Sequence, residues 1–547
     1  MRAAPCIFAD MTSPNPERHL VEGPRDPEHD ATATYVLEPA YVTRLTDRII
    51  ATSGETKQAT SPINLAPLAQ IPQSTEADVE TAFERARAAQ KVWAQTPFSE
   101  RERLLLKLHD VVLARQAEIA DVVVLESAKA RKDAFAEVLH VALTARYYGR
   151  TLSKHLASPR RPGVFPVLTN VHVNRIPKGI VGIISPWNYP FTMALVDGLA
   201  AVAAGNAVVA KPDAQTMLSA LLAAELLDEA GFPAGLWNIV AGPGSRVGTQ
   251  IIERADYICF TGSTATGKLI GKQCAERLIG CSLELGGKNP MLILADADVA
   301  KAADGAVRAV YSNAGQLCVS IERLFVADEV YDEFKAQFVA RTKALTLGAT
   351  LDWENDMGSL ISQDQLDTAV AHVEDARSKG ATVLAGGEAR PDLSPYFFEP
   401  TILEGVTPEM TCHGHETFGP VVSLYRFKTE DEAISLANEG AYGLNGSIFS
   451  KDVKRARELA KQVKCGTINI NEAYAATFAS IDAPMGGMRE SGTGRRQGAE
   501  GLLRYTETQS VASQSVVPLA PSFGLSEEQY AKVMTLSMKV LKAVGRA

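Results

Sequence analysis

The spacing of apolar residues first predicts a helical block. Val79, Ala82 and Phe83 recur at the i, i+3 and i+4 positions of a buried helix face. Helical patterning of this kind dominates residues 75–153, and a shorter helical pattern covers residues 35–52. The N-terminal third of the chain is therefore expected to be rich in amphipathic helices.

Beyond residue 179 the pattern changes to short β-rich runs that alternate with longer helical ones. Because strands and helices take turns along the chain, we expect a parallel sheet covered by helices. A second α/β rhythm runs from Met291 to about Gly501. The strands predicted in the first rhythm are Ile180–Ser185, Ala207–Lys211, Leu236–Val240 and Tyr257–Thr261.

Capping signals mark two of the predicted helix starts. Ser99 is followed by Glu102, and Ser526 is followed by Gln529, so both pairs have the spacing of a capping box. Residues 1–33 are instead rich in proline and charge, and we predict a flexible tail there.

Composition and charge exclude several classes of protein. The 547 residues are 46% hydrophobic and 22% charged, and 64 Asp and Glu outnumber 55 Lys and Arg. This mildly acidic balance argues against a nucleic-acid partner. Seven cysteines without a CxxC pair indicate a reducing compartment, and we predict a cytoplasmic protein. No secretory signal is recognisable, and no uninterrupted apolar run reaches the roughly 18 residues of a membrane span.

Two glycine-containing turns are candidates for phosphate binding. Gly242 lies in a Gly-Pro-Gly turn between a predicted strand and helix, and Gly262 and Ser263 lie in the next such turn. Small residues at a helix N-terminus expose backbone N–H groups that suit a phosphate. Ordinary turn geometry or an ordinary helix cap would also explain either turn.

Three residues are candidates for chemistry. Cys318 follows a stretch of small and polar residues in which free backbone N–H groups could stabilise a thiolate. Glu284 lies inside an apolar, strand-like run, where burial would raise the pKa of its carboxyl. Asn188 lies in a proline-bounded turn. Each also has a structural reading: a buried cysteine, a strand-end carboxylate and a turn former. The cluster Cys412-His413-Gly414-His415-Glu416 superficially resembles a metal site, but no second cluster accompanies it, and we predict no bound metal.

A set of motifs, in order along the chain, resembles the aldehyde dehydrogenase superfamily. The resemblance covers residues from about 60 to 516, and 34 residues separate the candidate carboxylate from the candidate thiol, as in the family pattern. The motifs are PWNYP at 186–190, KP at 211–212, FTGST at 260–264, ELGGKNP at 284–290, GQLC at 315–318, ETFGP at 416–420 and SGTGR at 491–495.

The resemblance implies a role for each matching residue. Cys318 would be the nucleophile, Glu284 the general base that hydrolyses a thioester, and Asn188 an oxyanion-hole donor. Lys211 and Glu416 would hold the two riboses of a nicotinamide dinucleotide. The full set of implied cofactor contacts is Trp187, Asn188, Lys211, Pro212, Asp213, Ala214, Gly242, Gly262, Ser263, Leu285, Glu416 and Phe418.

Departures from the family pattern refine the choice of cofactor and substrate. Members that prefer NAD often carry Glu where this chain has Ala214, so we expect NADP, with NAD as the alternative. The chain as a whole is similar to bacterial succinate-semialdehyde dehydrogenases that use NADP, although Val196 and Ser312 replace the arginines that hold the substrate carboxylate in the better-known type. Arg323 and Arg489 are candidate replacements by position. Other aliphatic or aromatic aldehydes remain the alternative substrates.

A second departure lies in the late SG motif. Family members often read Gly-Arg-Glu there, whereas this chain reads Gly494-Arg495-Arg496, so the role of that Glu does not carry over.

The architecture implied by the resemblance is α/β, with two Rossmann-like domains of parallel sheets plus a small oligomerisation hairpin and strand. A homodimer or homotetramer would follow. The predicted segments are a cofactor-binding domain at 35–286 interrupted by the hairpin at 163–178, a catalytic domain at 287–500, an oligomerisation strand at 505–516 and a C-terminal helix at 526–547.

Two rival functions are less consistent with the sequence. A catalytically dead structural relative would not need Cys318, Glu284 and Asn188 together. A DNA-binding regulator fused to a dehydrogenase would need a basic N-terminal module, and residues 1–33 offer proline and acid instead.

Overall fold

The computed structural model describes residues 20–22, 35–164, 169–515 and 518–545. The predicted tail at 1–33 lies outside the described residues, except for 20–22. The elements of the first half are β1 (Leu20–Glu22), β2 (Tyr35–Leu37), α1 (Pro39–Thr46), β3 (Thr56–Thr60), β4 (Pro67–Pro72), α2 (Glu76–Trp93), α3 (Phe98–Ala114), α4 (Gln116–Ser127), α5 (Arg131–Leu156), β5 (Arg160–Arg161), β6 (Thr169–Pro177), β7 (Ile180–Ile184), α6 (Pro190–Ala203), β8 (Ala207–Lys211), α7 (Met217–Ala230), β9 (Trp237–Ile239), α8 (Thr249–Arg254), β10 (Tyr257–Thr261), α9 (Thr264–Glu276) and β11 (Gly280–Glu284).

The second half has the same alternating character. Its elements are β12 (Asn289–Ile293), α10 (Val299–Tyr311), β13 (Ile321–Ala327), α11 (Tyr331–Lys343), α12 (Gln363–Ser378), β14 (Thr382–Ala385), β15 (Thr401–Glu404), α13 (Thr411–Gly414), β16 (Val421–Phe427), α14 (Glu430–Ala437), β17 (Asn445–Phe449), α15 (Val453–Ala460), β18 (Thr467–Ile470), α16 (Ala475–Ala479), β19 (Gly492–Thr493), α17 (Gly498–Leu503), β20 (Thr506–Gln514) and α18 (Glu527–Ala543).

The first large sheet has the strand order β19-β11-β10-β7-β8-β9. All neighbours pair in parallel except β19, which runs antiparallel to β11. The chain winds from β7 outward through β8 and β9, and then returns to the other side of β7 with β10 and β11. The order therefore reverses between β7 and β10, and ligands of such sheets bind at the carboxyl ends of the strands at this switch point.

The second large sheet has the order β14-β15-β16-β13-β12-β17-β18. Its neighbours are parallel except β14, which pairs antiparallel with β15. Residues of β12, β13 and β17 are buried along their whole length, as expected for strands covered on both faces. The α/β fold with two parallel-sheet layers confirms the predicted fold class.

A third, three-stranded sheet is antiparallel and has the order β20-β6-β5. Strand β20 pairs with β6 from Thr506 opposite Pro177 to Gln514 opposite Thr169. Apart from Thr506, the residues of β20 are exposed. Strand β6 lies within the hairpin predicted at 163–178 and β20 within the strand predicted at 505–516, whereas β5 precedes the predicted hairpin. The domain boundaries themselves stay a prediction.

The four strands predicted in the first rhythm lie within one residue of their observed bounds, whereas the helix predicted at 526–547 is observed over Glu527–Ala543. Two further predictions differ. The range 35–52 predicted as helical contains strand β2 followed by the short helix α1, which begins at Pro39. After α1, the Ile50 N–H donates to the Ile239 carbonyl at 3.0 Å, so the chain joins the edge of the first sheet. The capping box predicted at Ser99 is wrong, since α3 begins at Phe98. The Glu102 carboxylate instead accepts a bond from the Ser153 backbone N–H at 3.2 Å.

The capping box at Ser526 is confirmed, and it opens α18, none of whose residues is buried. Among the described residues, no helix combines the length and the apolar character needed to cross a membrane.

The hydrophobic cores explain why the two large sheets form separate layers. One apolar cluster joins the strands of the first sheet to α2–α7, and another joins the second sheet to α10–α12. A small cluster that includes Tyr189, Met193, Leu317, Leu444 and Met485 lies where the two layers meet. The candidate site is built next to this small cluster.

Candidate active site

A cavity of about 270 Å³ opens at the carboxyl edge of the first sheet. Most of its wall comes from the turns that follow β7 and β10, from the end of β11, and from the loop that precedes β13. Its lining residues are Pro186, Trp187, Asn188, Tyr189, Met193, Thr261, Gly262, Ser263, Glu284, Leu285, Gly286, Leu317, Cys318, Gln365, Glu416, Phe418, Phe478, Met485 and Arg496. The three residues predicted to carry chemistry, Cys318, Glu284 and Asn188, therefore lie around one cavity.

Cys318 is positioned at the cavity by a preceding backbone turn whose left-handed conformation is energetically unfavourable for most residues. Asn313, Ala314 and Gly315 are successive left-handed residues, with φ of 52°, 53° and 72°. At Gly315 a Cβ would lie only 2.1 Å from the Gly419 carbonyl oxygen, so a side chain is excluded there. The Asn313 backbone N–H donates to the Asp133 carboxylate at 3.0 Å and holds the turn. The small residues of the sequence motif thus serve the turn that positions the thiol.

The electrostatic surroundings of Cys318 hold the thiol protonated at rest. Burial raises the pKa of Cys318 to about 12, while the positive charge of Arg496 acts in the opposite direction. Glu284 and Glu416 add to the rise. Reaction therefore requires a base to take the thiol proton, or additional positive charge beside the sulfur.

Asn188 is held on both its side chain and its backbone. One N–H of the side-chain amide donates to the Gln316 carbonyl at 3.0 Å, two residues before Cys318. The backbone carbonyl of Asn188 accepts from Lys129 at 2.7 Å and from Asn313 at 3.0 Å. Because the amide has two N–H groups, the second is available to an oxygen in the cavity.

The support beneath Asn188 is a buried ion pair that the motifs did not reveal. Lys129 and Glu137 are both fully buried, with 2.6 Å between Nζ and Oε1. The second oxygen of Glu137 accepts from the Thr192 backbone N–H at 2.9 Å, so the pair ties α5 to α6. The available signal was a lysine between two apolar helical stretches, four residues from Asp133 and eight from Glu137.

Glu284 is the last residue of β11 and is 4% exposed. Burial raises the pKa of its carboxyl to about 7, and the nearby Arg496 limits that rise. Its Oε1 atom makes no hydrogen bond within the described part of the protein. A carboxyl that titrates near neutrality and faces a thiol in one cavity can act as a general base.

The cavity also holds an arginine that the sequence did not single out as a site residue. Arg496 is 4% exposed, and its Nε lies 4.0 Å from Glu284 Oε1. The two arginines named by position lie elsewhere. Arg323 donates to the carbonyls of Lys288, Leu436 and Ala437. Arg489 is exposed and donates to three backbone carbonyls in the 438–442 loop.

Aromatic and acidic side chains form the opposite wall. The rings of Trp187 and Phe418 meet edge to face, with centroids 5.5 Å apart. Glu416 Oε1 accepts from the Gly287 backbone N–H at 2.7 Å, and burial raises the pKa of Glu416 to about 8. A Cβ on Gly286 would lie 2.4 Å from the other Glu416 oxygen, so the missing side chain is what allows this approach.

Main-chain contacts fix the rest of this wall. The Leu285 N–H donates to the Ser491 carbonyl at 3.0 Å, and the Phe418 N–H donates to Glu322 at 3.0 Å. Glu322 also pairs with Lys288, so a buried ion pair holds the turn that carries Phe418.

Further along the sheet edge, Lys211 ends β8 with a buried side chain whose Nζ donates to the Pro212 carbonyl at 3.2 Å. The negative charge of Asp213 raises the pKa of Lys211, against the larger opposing effect of burial. The Asp213 carboxylate caps the following turn by accepting from the Gln215 N–H at 2.9 Å. Beside it, Ala214 is partly exposed. Burial and the positive charge of Lys57 on β3 both lower the pKa of Lys211, so a second cation lies near this corner.

The glycine turns predicted for phosphate binding occupy the same edge. Gly242 follows β9 with a φ of 156°, and a Cβ there would meet Val247 at 2.5 Å. Gly262 follows β10, and Ser263 caps α9 by accepting from the Thr266 N–H. The edge therefore offers a cationic corner, two glycine-containing turns and an aromatic wall, a set of groups that fits an extended dinucleotide.

No group of three His, Cys, Asp or Glu side chains arranged for a metal occurs within the described ranges. Cys412 is buried in the short helix α13, and Glu416 of the same cluster lines the cavity.

A thiol, a near-neutral carboxyl and a carboxamide therefore lie around one cavity at the switch point of a doubly wound parallel sheet. The model of the aldehyde dehydrogenase family matches residues 49–511, and the chain belongs to this family, whose members oxidise aldehydes to acids.

Two curated relatives and one solved structure illustrate the similarity. A protein of Mycolicibacterium smegmatis named "Putative succinate-semialdehyde dehydrogenase (NADP(+))" is 50% identical over 480 residues, or 88% of this chain and 93% of that one. A Mycobacterium tuberculosis protein with the same description, numbered 2, is 46% identical over 481 residues, again 88% and 93% of the two chains. An NAD+ complex of a Bacillus cereus aldehyde dehydrogenase superposes with a TM-score of 0.82 at 34% identity, covering 87% of this chain and 99% of that one.

Proposed function

We propose that this enzyme oxidises succinate semialdehyde to succinate with NADP, through a thioester on Cys318. The observation that carries the chemistry is the convergence of Cys318, Glu284 and Asn188 on one cavity. The relatives that are 46–50% identical over most of the chain carry the substrate and cofactor in their names.

The first step adds the Cys318 sulfur to the aldehyde carbon. Glu284 in its ionised form accepts the thiol proton, and the carbonyl oxygen becomes an oxyanion as the C–S bond forms. The second N–H of the Asn188 amide and the Cys318 backbone N–H are the donors for that oxyanion. Lys129 and Gln316 hold Asn188, so these donors need little reorganisation during the step.

The second half of the reaction releases the acid. A nicotinamide dinucleotide held by the residues along the sheet edge would supply a hydride acceptor and a positive charge. Loss of hydride converts the thiohemiacetal on Cys318 into a thioester. Glu284 first releases the thiol proton to solvent and then takes a proton from water, whose oxygen attacks the thioester carbon. Cys318 leaves as the thiolate and recovers its proton from Glu284. The sum is aldehyde, oxidised cofactor and water giving acid, reduced cofactor and a proton.

The choice of NADP rests on the corner formed by Lys211, Asp213 and Ala214. A glutamate at position 214 would repel a 2′-phosphate, and alanine removes that repulsion. The Asp213 Oδ1 atom accepts from the Gln215 N–H in the following turn, although the negative charge of Asp213 still acts on Lys211. Lys211 and Lys57 place positive charge near the same corner, which favours a phosphate over a hydroxyl.

We also propose a homodimer or homotetramer in the cytoplasm. The exposed strand β20 at the edge of the three-stranded sheet supports the proposal, because an uncovered strand edge offers backbone N–H and C=O groups to a second chain. Analytical ultracentrifugation would decide it, and a monomer at micromolar concentration would overturn it.

The test of the proposed function is a panel of aldehydes crossed with NAD and NADP, followed by absorbance of the reduced cofactor. Succinate semialdehyde with NADP should give the highest kcat/KM. Butanal, which lacks the distal carboxylate, should lose the equivalent of about 1.5–3 kcal/mol. Equal kcat/KM for the two aldehydes would contradict the substrate, and a tenfold preference for NAD would contradict the cofactor.

A further inference from the structure

Arg496 is a buried arginine whose guanidinium group is only partly hydrogen-bonded within the described residues. Its backbone is fixed by a pair of bonds with Met485, with the N–H donating at 2.7 Å and the carbonyl accepting at 2.8 Å. Its Nη2 donates to Asp197 at 3.1 Å and to Thr261 at 2.9 Å. Among the residues that the structure describes, however, its Nε has no hydrogen-bond partner, and neither does the Glu284 Oε1 that it faces 4.0 Å away. Both atoms are buried, and leaving such atoms unpaired is costly.

The charges around Glu284 balance in only one of its two states. Asp197 is buried on α6 and accepts from Arg496 on one oxygen and from Arg504 on the other, the latter at 2.6 Å. Two arginines and one aspartate leave a net charge of +1 in the interior. An ionised Glu284 brings the sum to zero, whereas a protonated Glu284 leaves one positive charge buried and unmatched.

We propose that Arg496 is a positioning residue for Glu284: through the buried Arg504–Asp197–Arg496 chain it draws the carboxylate toward itself and holds it in the ionised form that the reaction needs. The proposal rests on the proposed function in that Glu284 is the base. A closure of about 1 Å would turn the facing pair into a charge-assisted hydrogen bond. The cluster is a feature of this sequence, since Arg496 stands where the family pattern often has Glu.

The other groups around Glu284 are consistent with this assignment. Arg495, in the same loop as Arg496, also lowers the pKa of Glu284, whereas Asp197 raises it. His140, packed nearby on α5, stays neutral because burial and Arg496 lower its pKa to about 3. Cys318 stays protonated at rest. Arg496 is therefore the principal charge that opposes the effect of burial on Glu284.

The competing role for Arg496 is that of a receptor for a substrate carboxylate. Of the cavity's lining residues it is the one cation. Its Nη2 is already committed to Asp197 and Thr261, and its Nη1 contacts the Met193 sulfur at 3.3 Å. A substrate carboxylate at the remaining Nε would lie against Glu284 and repel it. The geometry therefore favours Glu284 as the partner.

Two substitutions with opposite expected signs test the proposal. Arg496→Gln removes the attracting charge, so the acid limb of the kcat/KM–pH profile should move up by about one pH unit or more. Asp197→Asn frees Arg496 to act on Glu284 alone, so the limb should move down. Arg496→Lys should stay close to the wild type. Arg489→Met, an exposed arginine outside the cavity, is the matched control and should leave the profile unchanged.

The profiles are measured with both succinate semialdehyde and butanal, on variants whose folding is checked by circular dichroism. Equal shifts of the limb for the two aldehydes support the positioning role. A rise in KM for succinate semialdehyde alone, with the limb unmoved, would assign Arg496 to the substrate carboxylate and overturn the proposal. Shifts of the same sign in Arg496→Gln and Asp197→Asn, or loss of activity without a shift, would also overturn it.

If either Arg496→Gln or Asp197→Asn fails to fold, the other variant still tests the proposal. The expected shift of the acid limb in that variant supports the proposal, and an acid limb that does not move contradicts it. The outcome is also separable from the proposed function. If Glu284 were not the base, Glu284→Gln would retain turnover whatever the behaviour of the Arg496 variants.

Discussion

Replacing Glu284 by Gln should stabilise the protein above neutral pH while it removes steady-state turnover. Burial raises the pKa of this carboxyl from 4.5 to about 7. A group whose pKa is raised in the folded state binds its proton more tightly there than in the unfolded chain. Its ionisation therefore costs stability as the pH rises from about 4.5 to 7, and the full cost persists above pH 7. Gln resembles the neutral carboxyl and removes this cost.

The magnitude follows from the shift of about 2.5 pKa units. At about 1.4 kcal/mol for each unit, ionised Glu284 destabilises the folded state by about 3 kcal/mol at pH 8.5. At pH 5.5 only about half of this cost is present, because the folded carboxyl is still protonated while the unfolded one is ionised. The pH-dependent part between these two values is therefore about 2 kcal/mol.

The assay is thermal unfolding of wild type and Glu284→Gln at pH 5.5 and 8.5, without cofactor. At roughly 2 cal/mol/K for each residue, 1 kcal/mol corresponds to about 1 °C for a chain of this length. The advantage of the variant should therefore grow by about 2 °C between the two pH values. Glu404→Gln is the control, since the pKa of that carboxyl is lowered instead. A gap between wild type and Glu284→Gln that stays constant with pH, or narrows as pH rises, would refute the reasoning.

Three further predictions concern other parts of the site. Asn188→Ala removes an oxyanion donor and should lower kcat by about 10²–10³ with little change in KM for NADP, measured by steady-state kinetics; a loss below tenfold would contradict that role. Lys129→Met leaves the buried Glu137 unpaired and should cost about 3–5 kcal/mol in urea unfolding, whereas the isosteric pair Lys129→Met with Glu137→Gln should recover part of the loss; a single variant as stable as wild type would contradict it. Ala214→Glu should weaken NADP binding and improve kcat/KM with NAD, with Ala214→Gln as the uncharged control; equal effects of the two would show that charge is not the cause.

The sequence predicted the fold and the three reacting residues because these depend on local patterns. The alternation of strands and helices is set by apolar spacing, and Tyr257–Thr261 and Ala207–Lys211 are observed with the predicted bounds. Cys318, Glu284 and Asn188 each stand in a motif, and the fold brings the motifs to one cavity.

What the sequence did not predict depends on contacts between distant parts of the chain. Arg496 and Glu284 face each other although they are 212 residues apart in the sequence. Nothing in the local pattern around either residue distinguishes an arginine that approaches Glu284 from one that lies on the surface. Lys129 reaches the Asn188 carbonyl from the end of another helix. At Ser99 the local capping signal failed because Pro97, one residue before the start of α3, holds the N-cap position and Glu102 is used by Ser153.

The central claim is that aldehyde oxidation passes through a thioester on Cys318 that Glu284 hydrolyses. The most direct measurement mixes Glu284→Gln with succinate semialdehyde and NADP in a stopped-flow instrument and then identifies the modified peptide by mass spectrometry. The account predicts a burst of about one NADPH per active site, slow turnover afterwards, and an acyl group on Cys318. Full steady-state turnover in this variant, or no acyl group on Cys318, would contradict it.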